Sequence, residues 1–209
     1  MDVGGVDAVQ LGIPGLLVVE QGDRSELAVD AAKPVLKRLE IETRGTTLYI
    51  GFSGWAPGLG RAARQARYTL RVVSVTSLVT TSSGDVQASG VRGDAVSLRA
   101  TSSGSIRIDR LDARVLDVNL SSSGSCTIRG GAVQEARVSI SSSGSFHGGD
   151  LRTATADIRL SSSGNATMWV EREIRAHLSA SGHLEVYGRP QVAEARTGSS
   201  GEIRSLGDK

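Results

Sequence analysis

The 209-residue chain has few of the side chains that usually close a core: two Trp, three Tyr and two Phe, 3% of the total. Its interior must therefore be built from small and β-branched residues, which favours an all-β fold. A single cysteine, Cys126, excludes an intrachain disulfide framework and any Cys-based zinc site. No apolar run is long enough to span a membrane. A charged segment followed by an apolar one is also missing at the start, so no signal peptide is expected within these residues. Membrane association is expected only through a signal or lipid anchor that this chain does not carry.

What is plentiful is glycine, 26 residues, together with Ser and Thr. The net charge of +2 conceals an uneven distribution. Thr43 to Gly84 contains no acid, but it holds Arg44, Arg61, Arg64, Arg67 and Arg71. Such a stripe attracts anionic glycans, phosphates or nucleic acid, and its plainer reading is a solvated basic loop.

The recurrent Ser-Gly pairs set the architecture. Their glycines are Gly84, Gly104, Gly124, Gly144, Gly164, Gly182 and Gly201, at intervals of 20, 20, 20, 20, 18 and 19 residues. Flexible linkers hold no such period between apolar arms. Counted from each glycine, the apolar residues fall at even offsets: Val118, Val138 and Ile158 six before, Leu120, Ile140 and Leu160 four before, Ile106, Cys126 and Phe146 two after. A period of two marks strands with one buried face. Ser102, Ser122, Ser142, Ser162 and Ala180, two before the glycine, are in phase with that face and are expected to turn inward at a bend. The glycines are expected to permit strained dihedrals at a crowded structural corner. About seven coils of ~20 residues specify a parallel β-solenoid, or β-helix.

Two outward columns test that register. Seven residues before the glycine, Asp117, Arg137, Asp157, Arg175 and Glu194 alternate in sign, which predicts opposite charges side by side in neighbouring strands. Immediately before the glycine, Ser123 has a counterpart in every coil, which predicts an outward hydroxyl ladder.

Residues 1–70 read as a β-meander that caps the solenoid of 71–209, the two forming one continuous domain. LLVVEQGDRSELAVDA turns at Gly-Asp and RLEIETRGTTLYIGF at Arg-Gly. KPVLKRL (33–39) suits one short helix, and GFSGWAPGLG (51–60) a mobile loop. The closing EIRSLGDK carries no obvious cap, although solenoids normally need capped ends.

The order of these segments, VDAVQLGIPGLLVVEQGDRSELAVDA, PVLKRLEIETRGTTLYIGF, YTLRVVSVTSLVTTSSGDVQASG and then repeated SSG coils, resembles the head GIN domain family, described as auto-transporter adhesins. The resemblance spans nearly the whole chain. It implies a secreted or envelope-attached bacterial β-solenoid, usually preceded by a signal or lipoprotein peptide, with no catalytic residues to carry over.

The residues themselves point away from catalysis. A nucleophilic serine needs a base within reach and an orienting acid. His147, His177 and His183 sit at odd, outward offsets, and no strand-to-helix G-x-S-x-G elbow exists. Asp117, Asp157 and Glu194 alternate with arginines, which is pairing geometry and not the facing carboxylates of a glycosidase. GLGRAA (58–63) lacks the βαβ unit that a phosphate loop requires. Neither a cofactor nor a metal is called for, and nucleic acid is not an expected partner.

The expected protein is a non-enzymatic β-solenoid, secreted or held at the cell envelope, that offers a regular surface to a glycan or cell-surface ligand. Candidate contacts are Trp169 and Tyr187, five after the glycine in adjacent coils, together with Arg61, Arg64 and Arg67. The bland reading of the aromatic pair is that it covers the solenoid edge or packs on the loop around Trp55. The alternative function is a scaffold that self-assembles end to end through its strand edges, a homo-oligomer. A third idea treats Thr81, Thr101, Ser121, Ser141 and Ser161 as a flat water-ordering column like an ice-binding surface.

Overall fold

The computed structural model describes residues 1–54, 57–198 and 200–209. The first part of the chain contains strands β1 (Ala8–Leu11), β2 (Leu16–Gln21) and β3 (Glu26–Asp30), helix α1 (Lys33–Leu36), and strands β4 (Leu39–Arg44) and β5 (Thr47–Phe52). Helix α2 (Gly60–Arg64) leads into β6 (Arg67–Val72), β7 (Ser77–Thr80) and β8 (Asp85–Ala88). The repeats then alternate long and short strands: β9 (Val91–Ala100), β10 (Ser105–Ile108), β11 (Leu111–Leu120), β12 (Ser125–Ile128) and β13 (Gly131–Ile140). In β14 (Ser145–Ser161) and β15 (Asn165–Ser179) the short and long strands fuse, and β16 (His183–Tyr187), β17 (Gln191–Thr197) and β18 (Glu202–Gly207) finish the stack.

The architecture is the expected β-solenoid, about six turns of ~20 residues bounded by the seven corner glycines. One face stacks β5, β1, β7, β9, β11, β13, β14, β15 and β17 in parallel register. A second stacks β6, β2, β8, β10, β12, β14, β15, β16 and β18. The pairing of β9, β11 and β13 passes over residues 94, 114 and 134, so the ladder is interrupted once within each long strand.

The even-offset residues do form the core: Leu98, Val118, Val138, Ile158, Leu120, Ile140, Leu160, Ile106 and Ile128 are all buried. Phe146 is fully buried between Cys126 and Ala166 in the neighbouring coils. A Cβ on Gly148, two residues on, would come within 2.6 Å of the Phe146 ring. One large side chain thus takes the volume that three small ones leave free.

At the corners the structure corrects the expectation in two ways. Ser122, Ser162 and Ala180 do not turn inward; they are exposed, with φ of 61°, 90° and 90°, while Ser102 and Ser142 are half-buried. At Ser122, Ser162 and Ala180 the left-handed conformation reverses the pleat and pushes the side chain out. The corner glycines themselves have no positive φ. All but Gly201 are buried, because the previous coil lies against them. A Cβ on Gly104 would stand 2.5 Å from the Gly84 carbonyl oxygen and 2.7 Å from Thr80 Oγ1. Space, and not dihedral freedom, selects glycine there. The outward ladder of Ser83, Ser103, Ser123, Ser143, Ser163, Ser181 and Ser200 is present, every member exposed.

The first 70 residues are not a meander set before the solenoid. β1 lies between β5 and β7, and β2 between β6 and β8, all parallel, so they complete a coil of the same stack. The β2–β3 hairpin does not form, because β6 lies between its two arms and pairs antiparallel with β3. Insertion gives β2 a partner on both edges and buries Leu17 and Val19. The β4–β5 hairpin does form, turning through Gly45 at φ +60°. Two short helices occur instead of one. The segment 51–60, expected as a loop, opens on the end of β5 and closes on the start of α2, and Trp55 lies outside the described residues.

The alternating charge column is in register throughout, from Asp117 opposite Arg137 to Arg175 opposite Glu194. Its ion pairs are mostly not between coils. Arg137 pairs with Glu135 and more loosely with Asp117 (3.7 Å), Arg159 with Asp157 (2.9 Å) and Arg175 with Glu173 (2.6 Å). Residues two apart share a strand face, so the shortest bridge runs along the strand.

The packing at the corners and around Cys126 can be tested by unfolding. Gly104→Ala is expected to destabilise the fold by about 2–3 kcal/mol through overpacking, whereas Gly90→Ala, where an added Cβ meets nothing within 4 Å, should be near neutral; urea unfolding checks both. Burial pushes the Cys126 thiol from 9.0 up to about 12 and the Tyr68 hydroxyl from 10.0 up to about 12. Both groups are held protonated in the folded state, so their contribution is complete below about pH 9 and is lost as pH rises towards 12. Unfolding midpoints measured against pH should fall above pH 9 in the native protein, and only above about pH 10 in Cys126→Ala.

Candidate functional site

Trp169 and Tyr187 are lateral neighbours, paired across β15 and β16, as their shared offset predicted. Both are half-buried, and cations lie over both rings. The Arg152 guanidinium sits 5.6 Å from the Trp169 ring centre and is itself bridged to Glu171 at 2.7 Å. The Lys209 ammonium sits 5.1 Å from the Tyr187 ring centre and is tied to Asp150. Cation–π contacts of this kind occupy one face of each ring, where a sugar would otherwise stack.

The arginine stripe lies at the other end of the stack. Arg61 and Arg64 are on α2 and Arg67 opens β6; all three are exposed and have no ion-pair partner among the described residues. Their neighbours in the stripe are neutralised by acids from outside it. Arg71 binds Glu20 (2.9 Å) and Glu26 (2.8 Å), and Arg44 binds Glu42 at 2.7 Å. The Arg44 guanidinium holds the Glu42 carboxyl below its usual range. The aromatic pair and the arginines are therefore two separate surfaces.

A third surface went unread in the sequence. Arg99, Asn119, Ser139, Arg159, His177 and Arg196 stand in unbroken register across six coils, five residues before successive glycines (Gly104 to Gly201). Beside them run the hydroxyls of Thr101, Ser121, Ser141, Ser161 and Ser179, three before the glycine. Between the two columns lie open hollows of about 200 Å³, next to Arg99, Asn119 and Ser141, and about 640 Å³, next to Arg159, His177, Ser179 and Arg196. Both hollows touch Ser139, so they adjoin along the face as a shallow, open groove. The hydroxyl column thus runs alongside the column that holds Arg99, Arg159 and Arg196. Arg159 and Arg196 have acidic neighbours, Asp157 at 2.9 Å and Glu194 at 2.7 Å, whereas Arg99 has none among the described residues. The signal was available as a second outward column of constant offset; Asn and Ser interrupting the arginines hid it.

The three histidines fall in two separate hollows. His147 and His183 come closer than their positions in the sequence suggested, lining one hollow of about 310 Å³ with Thr167, Glu185 and Arg204. His183 stands 3.6 Å from Glu202 and His177 3.4 Å from Glu194. Cys126, the strongest nucleophile by type, is fully buried. Among the described residues, no group of three or more His, Cys, Asp and Glu side chains is placed to hold a metal ion. No helix is long and apolar enough to cross a membrane, among the same residues.

Comparison with known proteins agrees with this geometry. A family model described as "putative auto-transporter adhesin, head GIN domain" matches residues 7–190. The fold is similar to a putative adhesin from Bacteroides fragilis, with a TM-score of 0.89 at 17% identity over 99% of this chain and 94% of that one. It is also similar to a putative adhesin from Parabacteroides merdae, TM-score 0.73 at 14% identity, with the same coverage of 99% and 94%. A putative lipid binding protein from Parabacteroides distasonis gives a TM-score of 0.70 at 18% identity, again over 99% and 94%. No curated protein matches the chain.

Proposed function

The chain belongs to the head GIN domain family of auto-transporter adhesins, and from that premise we propose that it is a non-enzymatic, surface-exposed or secreted binding protein whose ligand is an extended acidic glycan. The observation that carries this reading is the groove between the Arg99–Arg196 column and the hydroxyl column. Guanidinium groups take carboxylate or sulfate oxygens in paired hydrogen bonds, and the serine, threonine and asparagine side chains suit sugar hydroxyls. Strand stacking sets the spacing: Arg159 and Arg196 are two rungs apart, about 10 Å, and Arg99 and Arg159 three rungs, about 14 Å. Sites repeated along a rod suit a polymer better than a single small molecule, since weak contacts add along its length.

Arg61, Arg64 and Arg67, at the far end of the stack, would add long-range attraction for the same polyanion. Trp169 and Tyr187, with cations already over their rings, serve in this reading to hold the solenoid edge.

The test is a glycan array followed by titration with the acidic glycans that bind. Arg99→Ala combined with Arg159→Ala is expected to weaken binding at least tenfold and leave the melting temperature almost unchanged. Trp169→Ala should lower stability more than affinity. Retention is also expected to fall steeply with salt. Arrays blank for acidic glycans, or binding unaffected by the double substitution, would overturn the proposal.

A further inference from the structure

The two ends of the stack differ. At the first end, the strand edges are managed. β3 pairs antiparallel with β6, and its outer edge is taken by residues 1–3, with the Leu27 amide donating to the Met1 carbonyl and Asp2 bridging Glu26. β4 closes the other face antiparallel to β5, and its edge is charged, with Glu40, Glu42 and Arg44. At the second end, β17 pairs only with β15 and β18 only with β16 among the described residues. Behind those two strands the core opens in a hollow of about 340 Å³ lined by Ile174, Ala176, Val186, Val192, Ala195 and Ile203. Val192 is 61% exposed.

We propose that this end is a homodimer interface, formed when β17 pairs antiparallel with β17 of a second copy about a two-fold axis at Ala195. The argument is charge complementarity within the strand. Ala195 lies opposite the buried Ala176 and so faces the interior, while Glu194 and Arg196 lie opposite Arg175 and His177 and face out. In an antiparallel pair centred on Ala195, Glu194 of one copy stands opposite Arg196 of the other, and the symmetry makes the second such pair. Directly opposed residues on one face of a sheet interact most strongly, and like charges there repel. A two-fold contact is self-complementary, so pairing of β17 with β17 is complete at two copies. Shifting the centre by one residue to Glu194 would oppose two glutamates, so the register is specified by charge. The partner also covers Val192 and the mouth of the hollow.

Sedimentation equilibrium of the full chain is expected to give twice the 21.8 kDa chain mass. Glu194→Arg and Arg196→Glu should each raise the dissociation constant at least tenfold, since each opposes like charges at both positions. Mixing the two variants should restore a dimer, because the two arginines of one copy then face the two glutamates of the other; this arm holds even if either substitution alters its own coil. A native protein that stays monomeric overturns the proposal, as does a ladder of larger assemblies, which would mean head-to-tail contact with β4. Single variants that remain dimeric, or a mixture that remains monomeric, would also overturn it. So would a native mass spectrum of monomer carrying lipid in the hollow. These readouts use no glycan, so they stand or fall separately from the binding groove.

Discussion

Everything in this molecule follows from how closely one coil can lie on the next at the inner corner. Parallel strands hydrogen-bond at about 4.8 Å, and the backbone must turn sharply while keeping that spacing. At Gly104 the approach leaves no room for a Cβ, with the Gly84 carbonyl 2.5 Å from where it would be. The same closeness recurs at Gly84, Gly124, Gly144 and Gly164, each against the coil before it. Because the corner sets the vertical position of every strand, it also fixes which residues stand opposite each other. The charge column, the hydroxyl ladder and the polar groove are consequences of that one steric limit.

Within the stack, volume is balanced between coils and not within them. Phe146 is accommodated because Cys126 and Ala166 are its neighbours above and below and because residue 148 is a glycine. No single repeat reveals this, since each small residue looks like a weak core position in isolation. The burial of Cys126 in that arrangement removes its thiol from solvent chemistry and makes it a packing atom.

The surface divides by the same logic. Some short ion pairs run along strands, Arg137 with Glu135 and Arg159 with Asp157, while others tie neighbouring coils together, Arg114 with Asp94 (2.8 Å) and Arg152 with Glu171 (2.7 Å). Arg99, like Arg61, Arg64 and Arg67, has no acidic partner among the described residues, and the aligned hydroxyls stand beside it. Family membership covers residues 7–190 and speaks to the adhesin class. The groove and the open second end, where Ile174 and Val192 line one hollow, are properties of this chain.

The period of about twenty, the even-offset core and the register of Asp117 with Arg137 were legible from the residues alone, because alternation and spacing are local properties of a chain that stacks on itself. The β4–β5 hairpin was legible for the same reason, its Arg-Gly turn being a local signal. Other features depended on neighbours distant in sequence. Ser122 has the parity of an inward residue and still points out, because a left-handed turn resets parity and no composition rule marks which serine adopts it. β2 looks like half of a hairpin with β3 and is instead a rung between β6 and β8, since two parallel partners bury Leu17 and Val19 better than one antiparallel partner. Trp169 and Tyr187 were legible as neighbours, but only the packed structure laid Arg152 and Lys209 across them. Periodicity determined the rod; which surfaces stay open on it was decided by side chains that meet only when the coils stack.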